Sequence, residues 1–211
     1  MAAEAVFVSF PRDFPIQLMV NAELAESRFW GHPIIGVAAR AVALLPHLAW
    51  TAFVATIGLV WLVALGWIPI LLLGRVPAFQ AEIYEELIHR GSRMGAYMLL
   101  LPGYPKFGIG EPGPVDVWFK IDGLTIDRRW GIPLVGLIAR LIVLLPHIAF
   151  FLLLTLFTAT IWLFVWIPIL INARIPGLAV RYFAAYIRYS ARLASWAFLL
   201  PVPYPPFSLR P

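Results

Sequence analysis

The stretch RFWGHPIIGVAARAVALLPHLAW at residues 28–50 recurs as RRWGIPLVGLIARLIVLLPHIAF at residues 128–150. Twelve of the 23 positions are identical, and most of the others exchange one apolar residue for another. Self-similarity of this length indicates a duplicated module whose two copies share one architecture. Further matched segments are 67–71 with 166–170, 75–77 with 174–176, and 104–107 with 204–207.

The composition is that of a chain that meets lipid. Hydrophobic residues make up 62% of the 211 residues, charged residues 13%, and the mean hydropathy is +0.86. A soluble chain of this size could not bury so much apolar surface. The sequence contains no cysteine, which excludes disulfides, thiolate metal sites and thiol nucleophiles. The net charge of +5 comes from scattered arginines, which favours headgroup contact and excludes nucleic acid as a partner.

Each copy contains one long uncharged stretch, residues 41–74 and 141–173. Either stretch exceeds the ~20 residues that one helix needs to span a bilayer, yet neither suffices for two comfortable spans and a turn. Pro46 and Pro146 lie early in the stretches, where a proline ring breaks or kinks a helix. Each stretch therefore predicts either a shallow helix leading into one long tilted span, or a tight hairpin that returns to its starting side.

The tryptophans and the arginines favour different numbers of crossings. Trp50 and Trp67 lie roughly 25 Å apart along a helix, a spacing typical of two interfacial aromatic belts and hence of one span. Arginine, however, occurs in every polar segment, so an odd number of crossings would leave one positive segment outside. The positive-inside tendency favours an even number, with the N-terminus, the linker between the copies and the C-terminus all in the cytoplasm.

Polar and apolar residues alternate just before each uncharged stretch. The apolar positions are Ile16, Leu18 and Val20 in the segment 15–21, and every second residue from 115 to 121 in the segment 114–122. Alternation of period two predicts a short strand. We expect one strand in each copy, and the two strands could pair with each other at the membrane surface.

An amphipathic helix is predicted after each uncharged stretch. In the first copy the polar stripe of this helix contains Glu82, Glu86, His89 and Arg93, which lie within about 60° of one another on a helical wheel. A stripe of this kind indicates headgroup contact, or packing inside a bundle. We expect the arginines of the second copy to face anionic headgroups or another acidic partner; they are Arg181, Arg188 and Arg192.

Four further residues are candidates for a site. His47 and His147 occupy equivalent positions and could ligate a haem or a metal, but a neutral imidazole bonded near the interface is the simpler interpretation. Arg40 and Arg140 each stand alone on an apolar helix, and an intramembrane charge is a functional hypothesis by default. They lie close enough to an edge to reach lipid phosphate, and a structural pair would satisfy them equally. The remaining alternatives are an anionic lipid site and a substrate path.

No catalytic or metal motif accompanies these residues. Glu82, Glu85 and Glu86 have no acidic counterparts in the second copy, so we expect no symmetric metal site. The sequence contains no phosphate-binding loop, no HExxH and no haem-attachment motif. We therefore expect a non-enzymatic protein without a cofactor.

The order of the motifs resembles the DUF4389 family of bacterial membrane proteins. The similarity rests on PIQLMVN…ESRFWG, ALLPHLAW, GRVP and YPKF in the first copy, and on PVDVWFKID…DRRWG, LLPHIAF, ARIP and YPPF in the second. The resemblance implies two tandem family units, residues 1–102 and 115–211, joined by a Pro/Gly-rich linker at 103–114. It also implies a bacterial membrane location, and it assigns no catalytic residue.

The sequence thus predicts an all-α integral membrane protein built by tandem duplication of a transmembrane segment and an amphipathic helix, with a short strand before each unit. We expect a multi-pass protein of the bacterial inner membrane that acts as an accessory or scaffold subunit, with anionic lipids and other membrane subunits as partners. Two alternatives stay open: a transporter or lipid-handling protein with a site at the repeat interface, and a redox subunit whose haem is held by His47 and His147.

Overall fold

The computed structural model describes residues 15–20, 26–101, 103–106, 115–121 and 123–209. Residues 107–114 of the predicted linker and most of the segment before Glu26 lie outside these residues. The first repeat comprises strand β1 (Ile16–Val20), helix α1 (Ile35–Trp61), a π-helical turn (Leu62–Gly66), helix α2 (Trp67–Leu73) and helix α3 (Ala78–Met98). The second comprises strand β2 (Val115–Phe119), a 3₁₀ turn (Arg128–Gly131), helix α4 (Val135–Asn172) and helix α5 (Gly177–Ala197).

Each uncharged stretch forms one continuous helix, so the hairpin interpretation is wrong. Residues 35–73 are helical without interruption, as are the 38 residues of α4. Pro46 and Pro146 lie inside these helices without ending them. A tyrosine from the Tyr-Pro motif of the same repeat contacts the backbone here: Tyr104 Oη donates to the carbonyl of Ala43 at 2.8 Å, and Tyr204 Oη to that of Val143 at 2.9 Å. These bonds lie beside the carbonyl that loses its helical donor to the proline.

The two long helices run in opposite directions because each repeat begins against the end of the other. The amide of Glu26 donates to the carbonyl of Ala173 at 3.0 Å, and the amide of Ile126 donates to that of Gly74 at 2.9 Å. These two bonds are equivalent under the repeat. Gly31 and Gly131 permit the contact, since an added Cβ would lie 2.2 Å from Ile169 Cγ2 in one case and 2.5 Å from the amide nitrogen of Leu71 in the other.

Helices α3 and α5 form the centre of the molecule. Each runs back along the long helix of its own repeat, and the two pack against each other. Tyr84 of α3 donates to the carbonyl of Gly58 at 2.8 Å, and its ring stacks on Phe198 just after α5, with centroids 5.1 Å apart. Their apolar side chains fill the main core, among them Leu87, Phe183 and Ile187.

The predicted strands exist and pair with each other. β1 and β2 are antiparallel, with Leu18 opposite Val117 and Val20 opposite Val115. The inward side chains are buried, namely Ile16, Leu18 and Val20 of β1 and Val115 and Val117 of β2, because β2 packs on α3 and β1 on α5. The helical scaffold thus provides the third layer that an isolated strand pair lacks.

The long helices carry most of the exposed apolar surface. Among the described residues, two helices are long and apolar enough to cross a membrane by length and composition, Ile35–Trp61 and Ile138–Asn172, and only 17% of the most apolar window of each is buried. Large exposed side chains follow both helices along their lengths, for example Val42, Phe53, Leu153 and Phe164. A surface of this kind is suited to contact with lipid.

The reciprocal contact between repeats predicts the effect of a single methyl group. We expect Gly131→Ala to lower the free energy of unfolding by about 1–3 kcal/mol, since the new Cβ meets the backbone at Leu71, which cannot move aside cheaply. Gly91→Ala is the matched control: nothing lies within 4 Å of its added Cβ inside α3, so helix propensity should stabilise by up to about 1 kcal/mol. Thermal unfolding of the detergent-purified variants measures both, and equal midpoints would contradict the contact.

Candidate functional site

Arg40 is enclosed near the start of the first long helix with a complete set of partners. It is 1% exposed, and its guanidinium pairs with the Glu26 carboxylate at 3.1 Å. It also donates to the carbonyls of Trp30 and Tyr97, at 3.2 and 2.6 Å, and lies 4.4 Å from the centroid of the Tyr97 ring. The pairing neutralises the buried charge within the chain.

Arg140 occupies the equivalent position in the second repeat, without a carboxylate. It is 3% exposed, donates to the carbonyl of Trp196, and lies between the rings of Trp130 and Trp196, 4.8 and 4.6 Å from their centroids. Position 126, the counterpart of Glu26, is isoleucine. Within the described ranges no acid forms an ion pair with Arg140, and its Nε has no hydrogen-bond partner.

A cavity of about 90 Å³ lies beside Arg140 at the boundary between the repeats. Leu62 and Trp67 of the first repeat form one wall, and Trp130, Leu134 and Arg140 of the second form the other. The backbone of Leu134 has φ +58°, which is rare for a branched side chain, whereas its counterpart Ile34 has φ −107°. The two repeats thus differ in backbone as well as in charge at this point.

Arg40 and Arg140 do not face each other around a shared anion. Arg40 lies beside the start of the first long helix, whereas the Arg140 cavity is lined by Leu62 and Trp67 near the end of that helix. The two positions are equivalent under the repeat, but the reciprocal contact places them at opposite ends of the molecule. A site at the repeat interface therefore contains one of the two arginines.

The two histidines are enclosed by aromatic rings of their own repeats. His147 is 0% exposed, its Nδ1 lies 2.6 Å from Tyr189 Oη, and Phe207 stacks on its ring with centroids 3.8 Å apart. His47 is also buried, with its ring centroid 5.2 Å from that of Tyr104. In each repeat the tyrosine of the Tyr-Pro-x-Phe motif thus packs against the histidine of the Leu-Pro-His motif.

The arginine stripe of α5 does not lie on one surface. Arg181 is exposed, whereas Arg188 and Arg192 are buried, so the expected headgroup contact does not apply to those two residues. Arg188 donates to the carbonyl of Leu209. Burial lowers the pKa of Arg188 to about 10, with the charge of Arg192 acting in the same direction, and burial raises the pKa of Tyr189 to about 12. The C-terminal segment covers this end of the stripe, which a helical wheel cannot show.

A buried ion pair connects α3 to the strands, and sequence reasoning missed it. Arg93 pairs with Asp116 at 2.6 Å, and both residues are buried. His89 lies 3.2 Å from the same carboxylate. Asp116 is the polar member of an alternating strand, a position that predicts exposure, but here α3 lies near enough for Arg93 to reach it. The one available signal was Arg93 itself, on the predicted polar stripe.

Acidic and imidazole groups do not assemble into a metal centre in the described part of the chain. No group of three or more His, Cys, Asp or Glu side chains lies together among these residues. Glu82 is exposed, and Glu86 is bonded to Arg90. Burial raises the pKa of Glu85, and the nearby Glu82 adds to the shift.

Comparisons with family models, with curated proteins and with solved structures find no match. The likeness to DUF4389 units therefore rests on the short motifs, and the chemistry of this chain has to be inferred from its own residues.

The ion pair predicts a specific loss of stability. We expect Asp116→Ala to lower the free energy of unfolding by about 3–5 kcal/mol, because it leaves the Arg93 guanidinium buried without its carboxylate. The double variant with Arg93→Leu should recover part of the loss, since no uncompensated charge remains. Glu82→Ala, an exposed acid on the same helix, should stay within about 0.5 kcal/mol of the wild type. If the double variant lost as much free energy of unfolding as the Asp116→Ala and Arg93→Leu single variants together, the pairing would be contradicted.

Proposed function

We propose that this chain is a non-enzymatic membrane protein that serves as an accessory or scaffold subunit and organises the lipid around a larger membrane assembly. The observation that carries the proposal is that apolar side chains cover the outside of the long helices while paired charges lie inside the molecule. The long helices present apolar side chains to the outside along their lengths, while the ionic groups Arg40–Glu26 and Arg93–Asp116 are used inside to join segments. Buried charges paired in this way act as structural connections.

The bacterial cytoplasmic membrane is the proposed location. The resemblance to DUF4389 units supports a bacterial membrane, and the exposed arginines at the ends of the long helices, Arg28 and Arg128 among them, are placed to contact anionic headgroups. The apolar length of the helices supports insertion. Partners of this surface are expected to be lipids and the apolar surfaces of other subunits.

A second candidate function, lipid handling or transport, is favoured by one observation. The cavity beside Arg140 draws its walls from both repeats, and duplicated membrane proteins often bind their substrate at such a boundary. The redox alternative is less favoured by the geometry. His147 is 0% exposed, and its Nε2, the nitrogen that would ligate iron, is buried, so a haem could reach it only if the surrounding packing opened.

The scaffold function predicts a complex of fixed composition. We expect the full chain, purified from its native membrane in a mild detergent, to migrate with at least one other membrane protein in a constant ratio, as measured by native mass spectrometry. If the purified chain moved lipid between vesicles in the absence of any partner, the second candidate would be supported instead. A Soret band that disappears with His147→Ala would support the redox alternative.

A further inference from the structure

The cavity beside Arg140 has the features of an anion site that the chain itself leaves incomplete. In the first repeat Glu26 neutralises the buried arginine at 3.1 Å, and Arg40 Nε donates to the Trp30 carbonyl. In the second repeat the carboxylate is replaced by Ile126, and Arg140 Nε has no partner within the described part of the chain. The cavity lies where Arg140 remains uncompensated.

A buried guanidinium in this state calls for a counter-ion from outside the chain. Removing a charge from water without a partner is strongly unfavourable. The carbonyl of Trp196 and the faces of two indole rings offset part of that cost. An anionic oxygen is the remaining ligand, because a guanidinium donates to carboxylate and phosphate oxygens in a fixed planar geometry.

The surroundings of the cavity indicate that the anion is carried by a lipid. Leu134 and Ile132 form part of the wall and are 71% and 40% exposed. Val135 and Ile138, at the start of α4, continue the exposed apolar surface. A ligand that enters here passes apolar side chains before it reaches Arg140. This arrangement matches an amphiphile, which has an apolar tail and an anionic head.

We propose that the Arg140 cavity binds the anionic oxygen group of a membrane lipid, the phosphate of a phospholipid or the carboxylate of a fatty acid, as the counter-ion that Glu26 supplies in the first repeat. The proposal rests on the proposed membrane function only in that lipid must be at hand. It requires no partner subunit.

The test uses the full chain, purified and stripped of lipid in a neutral detergent. Its thermal unfolding midpoint is titrated with dioleoylphosphatidylglycerol, oleate, dioleoylglycerol, which has no anionic oxygen, and inorganic phosphate. We expect one of the two anionic lipids to raise the midpoint saturably, with an apparent affinity about tenfold above that of the uncharged lipid. Phosphatidylglycerol and oleate distinguish the phosphate source from the carboxylate source. An equal effect of inorganic phosphate alone would overturn the lipid assignment.

Two variants test the role of Arg140: one removes its guanidinium, and the other supplies a carboxylate from within the chain. Arg140→Gln should abolish the tenfold preference, whereas Arg129→Gln, at an exposed arginine nearby, should keep it. Ile126→Glu supplies the missing carboxylate, so it should raise the midpoint without lipid and remove the preference. This second variant keeps the test decisive if Arg140→Gln fails to fold. A preference that survives Ile126→Glu, or its absence from the wild type, would overturn the site and leave the scaffold function standing.

Separate observations bear on how the long helices meet the bilayer. The 38 residues of α4 extend about 57 Å, whereas the hydrocarbon core is about 30 Å thick. Even at a tilt of about 40°, the upper end of the usual range, such a helix would extend some 14 Å beyond the core. A crossing would therefore require a steep tilt of α4 and would place both of its ends in the headgroup regions.

The strand pair makes crossing less favourable still. The chain passes from Tyr104, bonded near the start of the first long helix, to Leu124, whose carbonyl accepts from Val76 at the far end. If the long helices crossed, β2, which packs on α3 beside the first long helix, would enter the bilayer with them and carry Asp116 there. A two-stranded sheet with open edges does not occur in lipid.

The arginines point to the same arrangement. Exposed arginines lie at both ends of the antiparallel pair of long helices, and a crossing would place one of these groups on the outer side. The groups are Arg28 with Arg174 at one end, and Arg75, Arg128 and Arg129 at the other. If the helices lie along the membrane, every arginine stays on one side, in accord with the positive-inside tendency.

We infer that both long helices lie along one leaflet, with their exposed apolar faces in lipid and the strand pair toward water. The chain lacks cysteine, so Ser27→Cys and Thr125→Cys, exposed positions at opposite ends of the long helices, report on sidedness in vesicles. We expect a membrane-impermeant maleimide to label both from the same side. Labelling from opposite sides would overturn the inference while leaving the Arg140 site and the scaffold function intact.

A depth measurement tests whether the long helices enter the bilayer deeply even though both labelled positions lie on the same side. Spin labels at Val42, Phe53 and Leu153, all exposed on the long helices, should lie at similar shallow depths. A crossing helix would instead place Phe53 or Leu153 near the bilayer centre, and that result would overturn the inference. Helices confined to one leaflet would also provide no path across the membrane, which would leave lipid organisation as the favoured function.

Discussion

The fold depends on the reciprocal contact in which each repeat begins against the end of the other. The amides of Glu26 and Ile126 donate to the carbonyls of Ala173 and Gly74, and the close approach needs glycine at position 131, where a Cβ would meet the backbone at Leu71. This contact makes the long helices antiparallel. It also brings β1 beside β2 and brings α3 beside α5, so that the duplicated units share one core instead of forming two.

The same contact explains why the repeats can differ in function. Equivalent positions lie at opposite ends of the molecule, so each buried arginine has surroundings of its own. Arg40 keeps its carboxylate and joins the segment before α1 to the end of α3. Arg140 lacks the equivalent acid and lies beside a cavity whose walls come from both repeats. One arginine is thus a structural connection, and the other is the ligand of the anion site that we propose.

Several elements were predictable because their causes are local. Period-two alternation located both strands, and the 3.6-residue polar stripe located α3 and α5. The absence of charge located the long helices. The hairpin, which the distribution of arginines favoured, was wrong because each stretch continues as one helix through its proline. Tyr104 and Tyr204 bond beside the two proline sites. The burial of Arg188, Arg192 and Asp116 could not be predicted either, because it depends on segments distant in sequence that cover them.

The sequence by itself determined the duplication, the element types and the apolar character of the long helices, since each follows from composition and periodicity within a short window. It also contained the substitution of Glu26 by Ile126 in the second copy. Only the tertiary structure decided what that substitution means. The burial of Arg140, its position between two indole rings and the cavity beside it arise from residues between 62 and 199 that meet through packing. An unpaired charge becomes costly, and hence informative, only once the surrounding chain has removed it from water.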